Sequence, residues 1–169
     1  MAGFRRPITL YGTPVLHQPC RPVTAFDAEL AALIDDMFAS MYAAEGVGLA
    51  ANQIGVPLRV FVYDCRDADG IRHKGHIVNP KLLPPSVFAA TVSDLEGCLS
   101  IPGQNAEVPR PAVAECTGFD KHGNPVTVTG TGNFARCLHH ESDHLDGTVY
   151  VDLLPEALRR KLLRAAKLA

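Results

Sequence analysis

The chain has 169 residues, 47% of them hydrophobic, and a formal net charge of −2. That length predicts one domain, residues 1–169, large enough to bury a core, and the near-neutral balance leaves no broad basic face for nucleic acid. No apolar run approaches the ~20 residues of a membrane span, and residues 1–20 carry arginines without the apolar stretch of a secretory leader, so a cytoplasmic protein is expected.

Leu30, Leu33, Ile34, Met37, Phe38 and Met41 recur at helical spacing, with Gly46 after them, and predict a first helix over residues 27–44. Short strands are expected around 58–64, 77–79, 81–83 and 113–119, and 126–129 completes a hairpin beyond a polar turn at 120–124. A second helix is predicted from about 133 to 146. Thr131 or Asn133 can cap its start, Phe134, Leu138 and Leu145 give it an apolar side, and Gly147 stops it. Residues 155–169 predict a C-terminal helix with Leu158, Leu162 and Ala166 inward. Its Arg159, Arg160, Lys161, Arg164 and Lys167 face a single carboxylate, Glu156. The fold class is α+β, with the second helix packed on the strands.

His140-Glu141-Ser142-Asp143-His144 falls inside that second helix. Residues four apart share a helical face, so both imidazoles point the same way and can grip one metal ion. Glu141 then sits beside the ion, placed to take a proton from a metal-bound water. The pattern points to metal-assisted hydrolysis. Two solvated histidines on a polar helix are the competing reading, and the capped, amphipathic setting speaks against it.

Catalytic sites of this kind use three protein ligands. No histidine follows His144, Glu156 lies in the last predicted helix, and Tyr150 stands where a longer motif would carry its third histidine. The third ligand must come from upstream. Among Cys20, Cys65, Cys98, Cys116 and Cys137 no pair is spaced C-x-x-C, and the odd number argues against a disulfide framework. Cys98 stands apart in Glu96-Gly97-Cys98-Leu99-Ser100, because Gly97 lets the backbone approach a metal closely. Ile101-Pro102-Gly103 is expected to turn the chain just after it. As a thiolate, Cys98 would complete a Cys-His-His site.

In Gly46-Val47-Gly48-Leu49-Ala50-Ala51-Asn52-Gln53, the small residues leave room for something to lie against the backbone, and the Gln53 amide can donate to an oxyanion. A helix stop at Gly46 followed by a tight loop accounts for the same residues structurally. A nucleotide loop is excluded, since no lysine follows the glycines.

In this order, GVGLAANQ, EGCLS and HESDHLDG resemble the three signature motifs of bacterial-type peptide deformylases, a likeness running from about residue 8 to 154. The resemblance implies hydrolytic removal of the N-formyl group from N-formylmethionyl nascent polypeptides, with release of formate. It implies Cys98, His140 and His144 as metal ligands, Glu141 as general acid and base, and the Gln53 amide with the Leu99 N–H at the oxyanion. Gly48 would hydrogen-bond the substrate backbone, Val47 would touch the methionine side chain, Cys137 would line its pocket, and Arg110 would lie near the extended substrate. The resemblance further implies ferrous iron in the cell, with zinc, nickel or cobalt in preparations, and small mixed or antiparallel sheets around the metal-binding helix. Family members commonly carry glutamine where this chain has His139, and a larger apolar residue where it has Ser142. Neither is a ligand position, and His139 lies about 100° around the helix from His140.

A thiolate ligand makes a metal a milder Lewis acid, so cleavage of an unhindered formamide but not of peptide bonds is expected. Glu96 or Asp143 is expected to orient a ligand imidazole. By resemblance the cationic C-terminal helix docks on the ribosome; a solvated face is the alternative, as a surface salt bridge is for Arg110. A zinc peptidase is disfavoured by the missing downstream ligand and the short chain. A non-enzymatic metal-binding protein would leave Glu141 and Gln53 without a purpose.

Overall fold

The computed structural model describes residues 3–169. Asp27 begins α1 (Ala28–Ala43) by accepting from the Glu29 and Leu30 N–H groups, as a cap residue should. β1 (Gly48–Ala50) and a 3-10 turn (Ala51–Ile54) follow, then β2 (Val60–Arg66) and β3 (Arg72–Leu82). β4 (Thr91–Cys98) and β5 (Ile101–Pro111) precede β6 (Val113–Phe119), β7 (Pro125–Thr131) and α2 (Gly132–Leu145). A further 3-10 turn (Tyr150–Leu153) leads to α3 (Glu156–Ala165).

All strand pairs are antiparallel. Among the described residues, β1-β2-β3-β6-β7 form one five-stranded sheet, and β4 pairs only with β5. α2 lies on one face of the larger sheet, where Phe134, Leu138 and Leu145 meet Phe61, Tyr63 and Ile77. α1 covers the other face, packing Leu33, Met37 and Met41 on Val60, Val62 and Val78. Because strand residues alternate faces, β2 is buried on both sides and reads as a continuous apolar run. The fold is α+β, with antiparallel sheets around α2. Among the described residues no helix is long and apolar enough to cross a membrane.

Three expectations need correction. The two short strands at 77–79 and 81–83 are one strand, β3, whose register shifts between Val78 and Lys81. Asn79 sits in that shift at φ 50° and clasps Val23 through both ends of its amide. The turn near Cys98 lies at Leu99–Ser100, between the paired Cys98 and Ile101, while Pro102 and Gly103 belong to β5. β5 jumps from Ile101 opposite Cys98 to Asn105 opposite Gly97, so residues 102–104 bulge from the ladder, with Gly103 at φ 72°. In α3, Leu158 faces outward and Leu163 is buried beside Leu162.

The N-terminal segment is moored to α1 by Asp36, which accepts from the Phe4 N–H at 2.7 Å and from Arg6 Nε and Nη2 at 2.9 and 2.6 Å. Burial alone would raise the Asp36 pKa; the Phe4 and Arg6 bonds outweigh it and hold it below the ordinary value. A depressed carboxylate contributes stability that is fully present above its unfolded pKa of about 4 and is lost as pH falls through the folded value. Asp36→Asn should therefore melt roughly 2–4 °C below the parent at pH 7, for a partly exposed pair worth ~1 kcal/mol. The gap should narrow below about pH 4 in thermal scans across pH.

Candidate metal centre

Two distant segments converge at one point. His140 and His144 stand one turn apart on α2, and Cys98 ends β4. Cys98 Sγ lies 3.2 Å from His144 Nε2, and His144 Nε2 lies 3.2 Å from His140 Nε2. All three donor atoms fall within 4.8 Å of one another. A tetrahedral ion with bonds of about 2.0–2.3 Å spaces its ligands roughly 3.3–3.8 Å apart, close to this arrangement. A thiol and two imidazoles with an open fourth position are the donor chemistry of a catalytic divalent site. Burial, and then neighbouring His140, drive the His144 pKa well below the ordinary value. His139 is not part of the cluster, and its buried Nε2 has no hydrogen-bond partner among the described residues.

Behind the donors, His140 Nδ1 meets Glu96 Oε1 at 2.7 Å. Of the two acids expected to orient an imidazole, Glu96 makes the contact, while Asp143 pairs with Arg110 Nη1 at 2.7 Å. Glu96 also accepts from Arg110 Nη2 and Nε at 2.7 and 3.0 Å and from Arg136 Nη1 at 3.0 Å. Burial would raise the Glu96 pKa, but His140 and Arg110 hold it well below the carboxylate range. Arg110 was expected beside substrate or in a surface salt bridge. It is instead 7% exposed, engaged with these two carboxylates and absent from the cleft wall.

In front of the donors opens a cleft of about 910 Å³, walled by Val47, Gly48, Leu95, Arg136, Cys137 and Glu141 among others. Glu141 is 3% exposed, and its Oε2 has no hydrogen-bond partner among the described residues. Burial pushes its pKa up to about 7; His140 pulls the other way, and Glu96 and Asp143 add to the rise. Gly48 is required here because a β-carbon would collide with Glu141 Oε1 and approach Cys137 Sγ to 2.8 Å. Val47 projects openly at the cleft mouth.

Gln53 is pinned at both ends of its amide. Its Oε1 accepts from the Ala50 N–H at 3.0 Å, which leaves Nε2 pointing at Ser100 Oγ, 3.2 Å away, and Cys98 Sγ, 3.4 Å away. Leu99 follows Cys98 at the tip of the β4–β5 turn and borders the cleft.

Asn52 and Arg136 carry little signal in the sequence. Asn52 is fully buried and donates to the His144 carbonyl at 2.6 Å, joining the glycine-rich segment to the end of α2. A polar residue between Ala51 and Gln53 in a run of small residues was its only signal. Arg136 stood one turn before His140, a lone charge among Phe134, Ala135, Cys137 and Leu138.

Residues 5–160 match the family model described as polypeptide deformylase. The chain is 56% identical to peptide deformylase 2 of Streptomyces avermitilis, over 97% of this chain and 87% of that protein. It is 49% identical to the peptide deformylase of Mycolicibacterium paratuberculosis, over 95% of this chain and 87% of the other. Its fold is similar to the crystal structure of peptide deformylase from Ehrlichia chaffeensis in complex with actinonin, with a TM-score of 0.90, 33% identity and coverage of 97% and 96%. The Legionella pneumophila structure gives 0.85 at 39% identity, with 96% and 94% covered.

Proposed function

This chain belongs to the peptide deformylase family, and from that we propose how its own residues carry out metal-dependent release of formate from N-formylmethionyl polypeptides. The observation that carries the reading is the convergence of Cys98, His140 and His144 beside Glu141, whose buried Oε2 finds no partner among the described residues.

Cys98, His140 and His144 would hold one divalent ion, with Glu96 fixing the His140 ring through Nδ1. Bound there, such an ion supplies Lewis acidity, lowering the pKa of water toward neutrality and polarising the formyl oxygen. Glu141 takes the proton from the attacking water and passes it to the departing amine as the carbon–nitrogen bond breaks. Its burial keeps the carboxyl able to bind and give up that proton near neutral pH. The Gln53 Nε2 and the Leu99 N–H donate to the oxygen on which negative charge grows, each donor worth ~3–4 kcal/mol of barrier. Gly48 presents backbone to the peptide, and Val47 and Cys137 contact the methionine side chain. The donor set alone suits zinc; ferrous iron is proposed as the native ion, with zinc, nickel and cobalt as substitutes in preparations. The reaction is placed in the cytoplasm, where formylated chains are made.

Anaerobically purified protein, its metal content measured, should release formate from formyl-Met-Ala-Ser and lose that activity on chelation. It should leave acetyl-Met-Ala-Ser intact, because the acetyl carbon is more hindered and less electrophilic. Absence of formate release, or comparable turnover of both peptides, would overturn the assignment.

For α3 we propose docking on the ribosome through Arg160, Lys161 and Arg164, which line a shallow groove on its outer face. Arg160 pairs with Glu156 and leaves the remaining charge positive. Deleting the helix is a poor test, since Leu162 and Leu163 are buried. Reversing Lys161 and Arg164 to Glu should instead abolish co-sedimentation with ribosomes at low salt while peptide deformylation continues; unchanged co-sedimentation rejects the contact.

A further inference from the structure

The three donors ride on two separate bodies. Cys98 closes a two-stranded sheet whose ladder joins no other strand among the described residues, whereas His140 and His144 stand on α2, against the five-stranded sheet. Apolar contacts hold the hairpin's β5 side against the 3-10 turn at 150–153 and α3, through Ile101, Val108, Val151 and Leu162. Such packing is not directional and does not by itself fix the gap between a sulfur and two ring nitrogens.

One side chain spans that gap with directed bonds to both strands. Arg136 leaves α2 one turn before His140 and is 8% exposed. Its Nη1 donates to the Val108 carbonyl at 2.6 Å and to Glu96 Oε2 at 3.0 Å, and its Nη2 donates to the Val92 carbonyl at 3.0 Å. Val92 and Glu96 belong to β4 and Val108 to β5. A single guanidinium thus grips both strands of the hairpin and the carboxylate that orients His140. Arg110 serves otherwise: its bonds to Glu96 stay within the hairpin, and only its Asp143 pair crosses to α2.

We propose that Arg136 is a positioning residue for the hydrolytic reaction, holding the Cys98 hairpin in register with the helix that carries His140, Glu141 and His144. The proposal rests on the assignment of Cys98, His140 and His144 as metal ligands. Only a planar fork can serve these acceptors together; a lysine keeps the charge but presents one nitrogen.

The test uses cobalt-loaded holoenzyme of the parent, Arg136→Lys and Arg136→Met, with Asp36→Asn as a variant weakened away from the network. Thermal melting, the sulfur-to-cobalt charge-transfer band, the rate of cobalt release to a chelator, and kcat and KM on formyl-Met-Ala-Ser are measured. Loss of an oriented partner around a metal ligand typically costs ~10–100-fold. In Arg136→Met, kcat should fall and cobalt release should quicken by about that factor, with a shifted band and KM within about threefold of the parent. Arg136→Lys should lie between Met and parent, and Asp36→Asn should change melting alone. If Arg136→Met fails to fold, Arg136→Lys decides. A folded Arg136→Lys whose kcat, band and release rate stay within about twofold of the parent overturns the proposal. So does a raised KM with unchanged kcat, which would make Arg136 only a wall of the cleft. A parent that binds cobalt without any thiolate band refutes the ligand assignment itself, and the inference falls with it.

Discussion

Glu141→Gln should lower kcat/KM on formyl-Met-Ala-Ser by about 10³-fold, within the ~10²–10⁴ that a positioned proton carrier supplies. Glutamine keeps the shape and a carbonyl oxygen but cannot accept and return a proton. The metal should remain, because the donor cluster consists of Cys98, His140 and His144. Stability should not suffer. Glu141 Oε2 is buried without a partner among the described residues, so a neutral amide relieves a burial cost. The expected combination is one ion per chain, a melting temperature at or above the parent's, and nearly no formate. Metal analysis on the same sample that is assayed separates this from a collapsed site. Turnover within about tenfold of the parent would remove Glu141 from the proposed proton path.

Gly48→Ala should be nearly as damaging, for a steric reason. The added methyl would meet Glu141 Oε1 and stand 2.8 Å from Cys137 Sγ. Neither neighbour can retreat easily, since Glu141 is 3% and Cys137 6% exposed. Displacing the carboxylate by about 1 Å can cost ~10²-fold in rate. Overpacking should also cost ~1–3 kcal/mol of stability. Kinetics and melting, read together with metal content, should show slow catalysis in a folded, metal-bearing protein. Parent-like rates would mean that Glu141 has room to move and that the glycine serves another purpose.

The grouping of Cys98, His140 and His144 was legible in the sequence because its chemistry is written locally: two histidines a helical turn apart and one cysteine in an unusual setting. α1 and α2 were legible too, since their apolar residues keep the helical period. β4 and β5 were not. Every second residue of β5 from Ala106 to Arg110 is buried, but the third is a guanidinium, and its partner on β4 is the buried Glu96. Charged residues at core positions break the hydrophobic alternation that announces a strand. Pro102, Pro109 and Pro111 mask it further, and such residues suit a strand with an open edge. Arg110 was misplaced for the same reason. A lone arginine between prolines reads as surface until Glu96 and Asp143, one 14 residues before it and the other 33 after it, are seen to close around it. Leu158 was assigned inward by spacing alone, and α3 is rotated so that Leu163 takes that place.

The end of α2 is held by groups made much earlier in the chain. The Cys20 N–H and Arg59 Nη1 bond the Leu145 carbonyl, and Asn52 takes the carbonyl of His144. The cluster of α1 with β2 and Val78 is drawn from the first half of the polypeptide and can close while translation continues. The donor cluster has no such head start: His140 and His144 lie on α2, which follows every strand in the chain. The three clustered donors can therefore meet only once α2 has been made, after the sheet that supports them.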